Sequence, residues 1–103
     1  MKKLFISQPM NGKTNEEIEK AREKAIKSAV DHLGEEVEVI DSFFKDAPHS
    51  ANPLWYLGKS IELMADADAV FFAKGWEGAR GCRIEYTCAI EYGITVIEDY
   101  SND

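Results

Sequence analysis

The residues best suited to chemistry in this chain lie between Ala67 and Gly93, where Glu85 follows three glycines, Gly75, Gly78 and Gly81. Asp68-Ala-Val-Phe-Phe-Ala73 is an apolar run with a β-branched residue and two aromatics, of a length that fits a buried strand. The glycines interrupt any regular pattern, and from Cys82 the sequence turns helical until Gly93, a residue suited to the left-handed position after a helix. A glycine-rich turn from strand to helix leaves backbone N–H groups at the positive end of the helix dipole, which suits an anionic ligand. Glu85 is expected in the first turn of that helix, facing the same mouth as those donors. It reads either as a reactive carboxylate beside a ligand or as an acid that stabilises the helix dipole. The glycine spacing fits neither a Walker loop nor the G-x-G-x-x-G dinucleotide fingerprint.

Cys82 is expected near a helix N-terminus, a setting that lowers a thiol pKa. No histidine lies near it in sequence to complete a nucleophilic pair. Two histidines and two cysteines at these spacings make no recognisable metal site, and neither a metal nor a cofactor is expected. Cys82 and Cys88, six residues apart on one helix, face different ways and are not expected to pair.

The elements around this stretch follow from period and punctuation. Lys2-Lys-Leu-Phe-Ile-Ser7 reads as a first strand, followed by a loop from Ser7 to Lys13 marked by Pro9 and Gly12. Thr14-Asn-Glu-Glu17 is a capping box opening a helix whose stripe is Ile18, Ala21, Ala25, Ala29 and Leu33, ended by Gly34. Val37 to Asp41 is a second strand, and Ser42 to Asn52 is a long loop carrying Phe43, Phe44 and His49. Asn52-Pro53 caps a helix from Leu54 to Ala65, with Leu54, Leu57, Ile61 and Met64 expected to face inward. Ile94 to Ile97 makes a last strand ahead of an acidic tail. Asp66 and Asp68, at the amino end of the third strand, read as structural. The order βαβαβαβ predicts an α/β fold, a minimal flavodoxin-like or Rossmann-like three-layer sandwich with a parallel four-stranded sheet. Ligands bind such sheets beyond the carboxyl ends of the strands, where the strand order reverses. If strand one neighbours strand three, Ser7–Lys13 and Lys74–Glu85 line that crevice.

Residues 1–103 are expected to form a single domain. A net charge of −7 argues against a nucleic-acid groove, which needs clustered cations, while a small anion can still bind locally. There is no apolar run long enough to span a membrane, and Met1-Lys-Lys leads into too short an apolar stretch for a signal peptide. A reduced, cytoplasmic protein is expected. So small a sheet leaves an edge and apolar helix faces needing cover, which predicts a homo-oligomer.

Three segments in order resemble the nucleoside 2-deoxyribosyltransferase superfamily, including its nucleotide N-glycosidase branch. They are Leu4-Phe-Ile-Ser-Gln-Pro-Met-Asn-Gly12, Met64-Ala-Asp-Ala-Asp-Ala-Val70, and Gly81-Cys-Arg-Ile-Glu-Tyr-Thr-Cys-Ala89 closed by Gly93. The last is similar to the family's Gly-x-x-x-Glu-x-Gly-x-Ala helix start. The resemblance implies that Glu85 attacks the anomeric carbon of a sugar and that the base leaves through an oxocarbenium-like transition state. Water or a second base then resolves the glycosyl-enzyme. It also implies that Ser7, Gln8, Met10, Asn11, Gly12 and Lys13 form one binding wall, and Gly75, Trp76, Gly78, Arg80, Gly81 and Arg83 the other. Gln8, Asn11 and Gly12 would hold ribose or phosphate, and Lys13, Arg80 and Arg83 would meet phosphate. Trp76, like Phe43 and Phe44, would stack on a base or pack in the core. The sequence departs from the family at Phe5, where a tyrosine is usual, near Ser60, where an aspartate is usual, and at Ala79, where the transferase branch has another aspartate. The implied function is binding of a nucleoside- or nucleotide-type small molecule, with Glu85 cleaving or transferring its N-glycosidic bond. The departures give the alternative, a non-catalytic binder of a nucleotide-derived ligand. A protein-interaction module built on the acidic first helix is a third reading.

Overall fold

A computed structural model describes residues 1–9, 12–42 and 50–99 of the chain. The elements run β1 (Lys2–Ser7), α1 (Asn15–Leu33), β2 (Val37–Val39), α2 (Pro53–Met64), β3 (Ala69–Phe72), α3 (Arg80–Glu91) and β4 (Thr95–Glu98), with one 3₁₀ turn at Trp76–Gly78. The four strands are parallel in the order β2-β1-β3-β4. This is the α/β sandwich expected from the sequence, and β1 does neighbour β3. None of the described helices is long and apolar enough to cross a membrane. Met10, Asn11, Phe43, Phe44, His49 and the acidic tail from Tyr100 lie outside the described residues.

Period-two alternation divides the core into two layers. Leu4, Ile6, Ala69, Phe71 and Ile97 pack against Ala25 and Ala29 of α1. Phe5, Val70 and Phe72 pack against Met64 of α2 and Ala89 of α3. One helix thus covers one face and two cover the other. Every residue of β3 is buried, as a central parallel strand requires.

Local chemistry fixes the helix ends. Thr14 and Glu17 form the reciprocal capping box of α1, and Gly34 ends the helix in the left-handed region at φ 74°. Asn52 caps α2 with its side chain on the Trp55 N–H, and Pro53 occupies the first helical position. After α3, Ile94 N–H reaches Ala89 O at 2.9 Å and Gly93 N–H reaches Ile90 O at 3.3 Å, a Schellman motif with Gly93 at φ 71°. The Ile94 N–H is spent on this cap, so β4 begins at Thr95, one residue later than the sequence pattern suggests. Asp68 accepts from the Lys3 N–H at 2.7 Å, which gives it the structural role expected at the amino end of β3.

Two expectations are corrected. Leu54 is 73% exposed instead of inward-facing. It sits at the start of α2, beyond the carboxyl edge of the sheet, where there is no strand surface to pack on. Helix α3 begins at Arg80, not at Cys82, with Arg83 N–H bonded to Ala79 O at 3.0 Å. Gly81 does not delay it, because first-turn N–H groups need no partner within the helix. Glu85 therefore lies in the second turn.

The layered core predicts unequal costs for two truncations. Phe71→Ala should destabilise the protein by about 3–5 kcal/mol in urea denaturation. Gly93→Ala, which places a Cβ in the left-handed region, should cost about 1 kcal/mol. Equal costs would show that Phe71 is not close-packed.

Candidate active site

Ser7 ends β1 on the face shared with Phe5, so its side chain turns toward α2 and α3. Cys82, Glu85 and Ala89 are the buried residues of α3, at the three- and four-residue spacing of one inward stripe. A glutamate on such a stripe is brought against the sheet. The Ser7 Oγ–H donates to Glu85 Oε1 at 2.6 Å, and both groups are buried. That length is typical of a hydroxyl bound to an ionised carboxylate.

Burial pushes the Glu85 carboxyl above its usual range, and hydrogen bonding from Ser7 and then Ser60 pulls it partly back. Burial also raises the Cys82 thiol, and the nearby Glu85 adds to the rise while a Ser7 hydrogen bond opposes it. This corrects the expectation of a lowered thiol pKa. Desolvation and a neighbouring carboxylate outweigh the helix terminus, and Cys82 is poorly suited to act as a thiolate.

Glu85 lines a cleft of about 400 Å³ at the carboxyl edge of the sheet. Ser7, Gln8 and Pro9 form one wall, and Tyr56, Leu57 and Ser60 of α2 form the facing one. Ala79, Gly81 and Cys82 complete it beside Glu85. The chain runs from β1 outward to β2 and from β3 outward to β4, so the strand order reverses between β1 and β3. The cleft occupies that switch point.

Of the residues singled out from the sequence, Ser7, Gln8, Gly81 and Glu85 meet at this cleft. Lys13 lines a separate cavity beside α1. Trp76 stacks on Tyr86 with ring centroids 4.3 Å apart and packs on Phe72 at 5.4 Å, so its ring is part of the core on that side. Arg83 donates to Glu77 O at 2.8 Å, tying α3 to the 3₁₀ turn. Gly75, in the left-handed region at φ 88°, makes the turn out of β3. Gly12, Gly78 and Arg80 are exposed and outside the cleft lining, while Met10 and Asn11 are not among the described residues.

Ser42, Tyr56 and Leu57 join the site without any mark in the sequence as site residues, and Ser60 stands out there only as a departure from the family pattern. For Ser60 a signal existed. It lies three residues from Leu57 and four from Met64, a hydroxyl on an otherwise apolar helical stripe. Ser42, just beyond β2, and Tyr56, on α2, carry no such mark, because they reach the cleft only when segments remote in sequence pack together.

Among the described residues no cluster of three or more His, Cys, Asp or Glu is placed to hold a metal. The described lining offers one carboxylate, several hydroxyls and the Cys82 thiol. That set can hydrogen-bond a polyhydroxylated ligand and bring a carboxylate to an electrophilic carbon.

The raised Glu85 pKa has a defined sign in stability. Protons bind more tightly to the folded state, so the contribution is fully present below the unfolded carboxyl pKa and is lost as pH rises through the folded value. Glu85→Gln should therefore gain thermal stability relative to the parent as pH rises from acid to neutral. Ser7→Ala should move the Glu85 titration further up, as followed by carboxyl ¹³C NMR. An unmoved titration would show that the Ser7 hydroxyl does not favour the ionised form.

No curated protein matches the chain, and no solved structure matches it. One family profile does match, over residues 2–98, nearly the whole of the described fold. The chain belongs to that family, described as a domain of unknown function, DUF4406.

Proposed function

We propose that the cleft binds a nucleoside- or nucleotide-type small molecule with its sugar beside Glu85, and that Glu85 attacks the anomeric carbon. The observation that carries this reading is the buried carboxylate, held on one oxygen by Ser7 at 2.6 Å, at the switch point of a parallel sheet. The resemblance of three segments to the nucleoside 2-deoxyribosyltransferases supports the choice of sugar and bond. As the Glu85 oxygen bonds to the anomeric carbon, the glycosidic C–N bond breaks, and the base departs with the electron pair and takes a proton from solvent. Water or a second base then attacks the same carbon and releases the carboxylate. Ser7 orients the attacking carboxylate and stabilises its charge. The described lining has no lysine or arginine, which favours sugar hydroxyls over phosphate as the groups nearest Glu85.

Binding without turnover is the second reading, and specific features favour it. Phe5 and Ala79 bring no polar side chain to the cleft, and burial favours the protonated form of Glu85. A protonated Glu85 donates a hydrogen bond to the ligand and attacks nothing.

Incubation with a pool of nucleosides and nucleotides, followed by mass spectrometry of solution and heat-released fractions, separates the two. The expected result is a free base accumulating with time. Glu85→Gln should slow its release by about 10³-fold or more while leaving binding within a few-fold. Because only ionised Glu85 attacks, kcat/KM should fall on acidification, with its limb above the usual carboxylate range. Unchanged turnover in Glu85→Gln sinks the catalytic reading. A compound that returns unchanged on heating establishes the binder.

A further inference from the structure

We propose a second binding site on the opposite face of the sheet from Glu85, for a small phosphorylated sugar or polyol. The fold leaves room for it. A helix is about 10 Å across, whereas four strands spaced by about 4.8 Å span about 14 Å between their outer axes. Because α1 is the only described helix on this face, the described structure roofs the carboxyl ends of β3 and β4 only in part. A cavity of about 300 Å³ opens there, floored by Phe71 and Ala73 and flanked by Ile18 and Ala21 of α1.

Its charge is opposite to that of the whole chain. Lys13, Lys20, Lys24 and Lys74 line it, against the carboxylates of Glu17 and Asp99. The chain carries −7 overall, yet this lining carries a surplus of two positive charges, the complement of a phosphate dianion. Lys24 Nζ meets Asp99 Oδ2 at 3.1 Å, closing one end. Lys20 pairs with Glu16 at 3.4 Å in an exposed contact that a ligand displaces at little cost. No ion pair or hydrogen bond engages the Lys74 side chain among the described residues.

Gln8 supplies an independent observation. It follows Ser7 in the alternation of β1 and so belongs to the α1 face, where its Nε2–H donates to Ile18 O at 3.5 Å. Its Oε1 is buried without a hydrogen-bond partner among the described residues, although the residue is only 8% exposed. A buried acceptor lacking a donor is unfavourable. The bond at the other end of the amide is at the limit of hydrogen-bonding length, and the terminal torsion of glutamine is soft. A small turn of the amide presents Oε1 to a ligand hydroxyl. Lysines for the phosphate and an amide oxygen for a neighbouring hydroxyl define the ligand class. This site does not depend on any activity of Glu85.

Titration of the ¹⁵N-labelled protein with ribose 5-phosphate, followed by amide NMR, tests the proposal. Saturable shifts are expected at Ala73, Lys74, Lys20 and Lys24, with no binding of ribose and weaker binding of inorganic phosphate. Lys13→Gln combined with Lys74→Gln, exposed positions whose change leaves the core intact, should weaken binding tenfold or more. Glu85→Gln should leave the affinity as in the parent. Shifts confined to the Ser60 and Glu85 side, affinity within twofold in the double variant, or no saturable binding would each overturn the proposal. Inorganic phosphate binding as tightly as ribose 5-phosphate would also overturn it.

Discussion

A parallel sheet must be covered on both faces, and the three described helices cannot cover four strands evenly. That constraint shapes most of what is distinctive here. Crossovers from β1 to β2 and from β3 to β4 run in opposite directions, so α1 stands alone on one face while α2 and α3 share the other. The shared side is closed deep in the core by Met64, Phe72 and Ala89, yet it parts at the carboxyl edge, where the two helices begin. The cleft with Glu85 lies in that opening. The solitary helix leaves the partly roofed, lysine-lined cavity on the reverse side.

Glu85 is where function and stability pull apart. An alanine or leucine on the same stripe of α3 would serve the core better, since a carboxyl in this position loses solvation that one short hydrogen bond only partly replaces. Ser7 and Ser60 moderate the loss from two different elements, one at the end of a strand and one on the facing helix. The Ser7 hydroxyl also fixes the carboxylate's orientation. Cys82, on the preceding turn, shares the desolvated environment, and the Glu85 carboxylate adds to the rise that burial imposes on its thiol.

Much of the fold was legible because its signals are local. The capping box at Thr14, the Asn52-Pro53 start and Gly34 and Gly93 at helix ends each satisfy backbone groups within a few residues, and each appears where the pattern puts it. The errors fell where a distant surface decides. Leu54 matches the helical stripe of α2, but the sheet stops short of it. Gly81 resembles a break but lies within the first turn of α3. Of the site, Glu85, Ser7, Gln8 and Gly81 were legible in sequence because they bracket the strand ends that a parallel fold brings together. Tyr56 and Ser42 were not, since nothing within their own segments distinguishes them from ordinary polar surface.

The sequence by itself determined the element order, the parallel sheet and the burial of β3, because period, caps and apolar runs act over one or two turns of chain. Only the tertiary structure decided that Trp76 is spent on Phe72 and Tyr86, that Arg83 binds a carbonyl, and that Lys13 and Glu85 stand on opposite faces. Successive residues at a strand end turn to opposite sides, so Ser7 bonds Glu85 in one cavity while Gln8, next in the chain, borders both and sends its amide to Ile18 of α1. What each meets depends on where the helices pack, and packing joins segments that are remote in sequence.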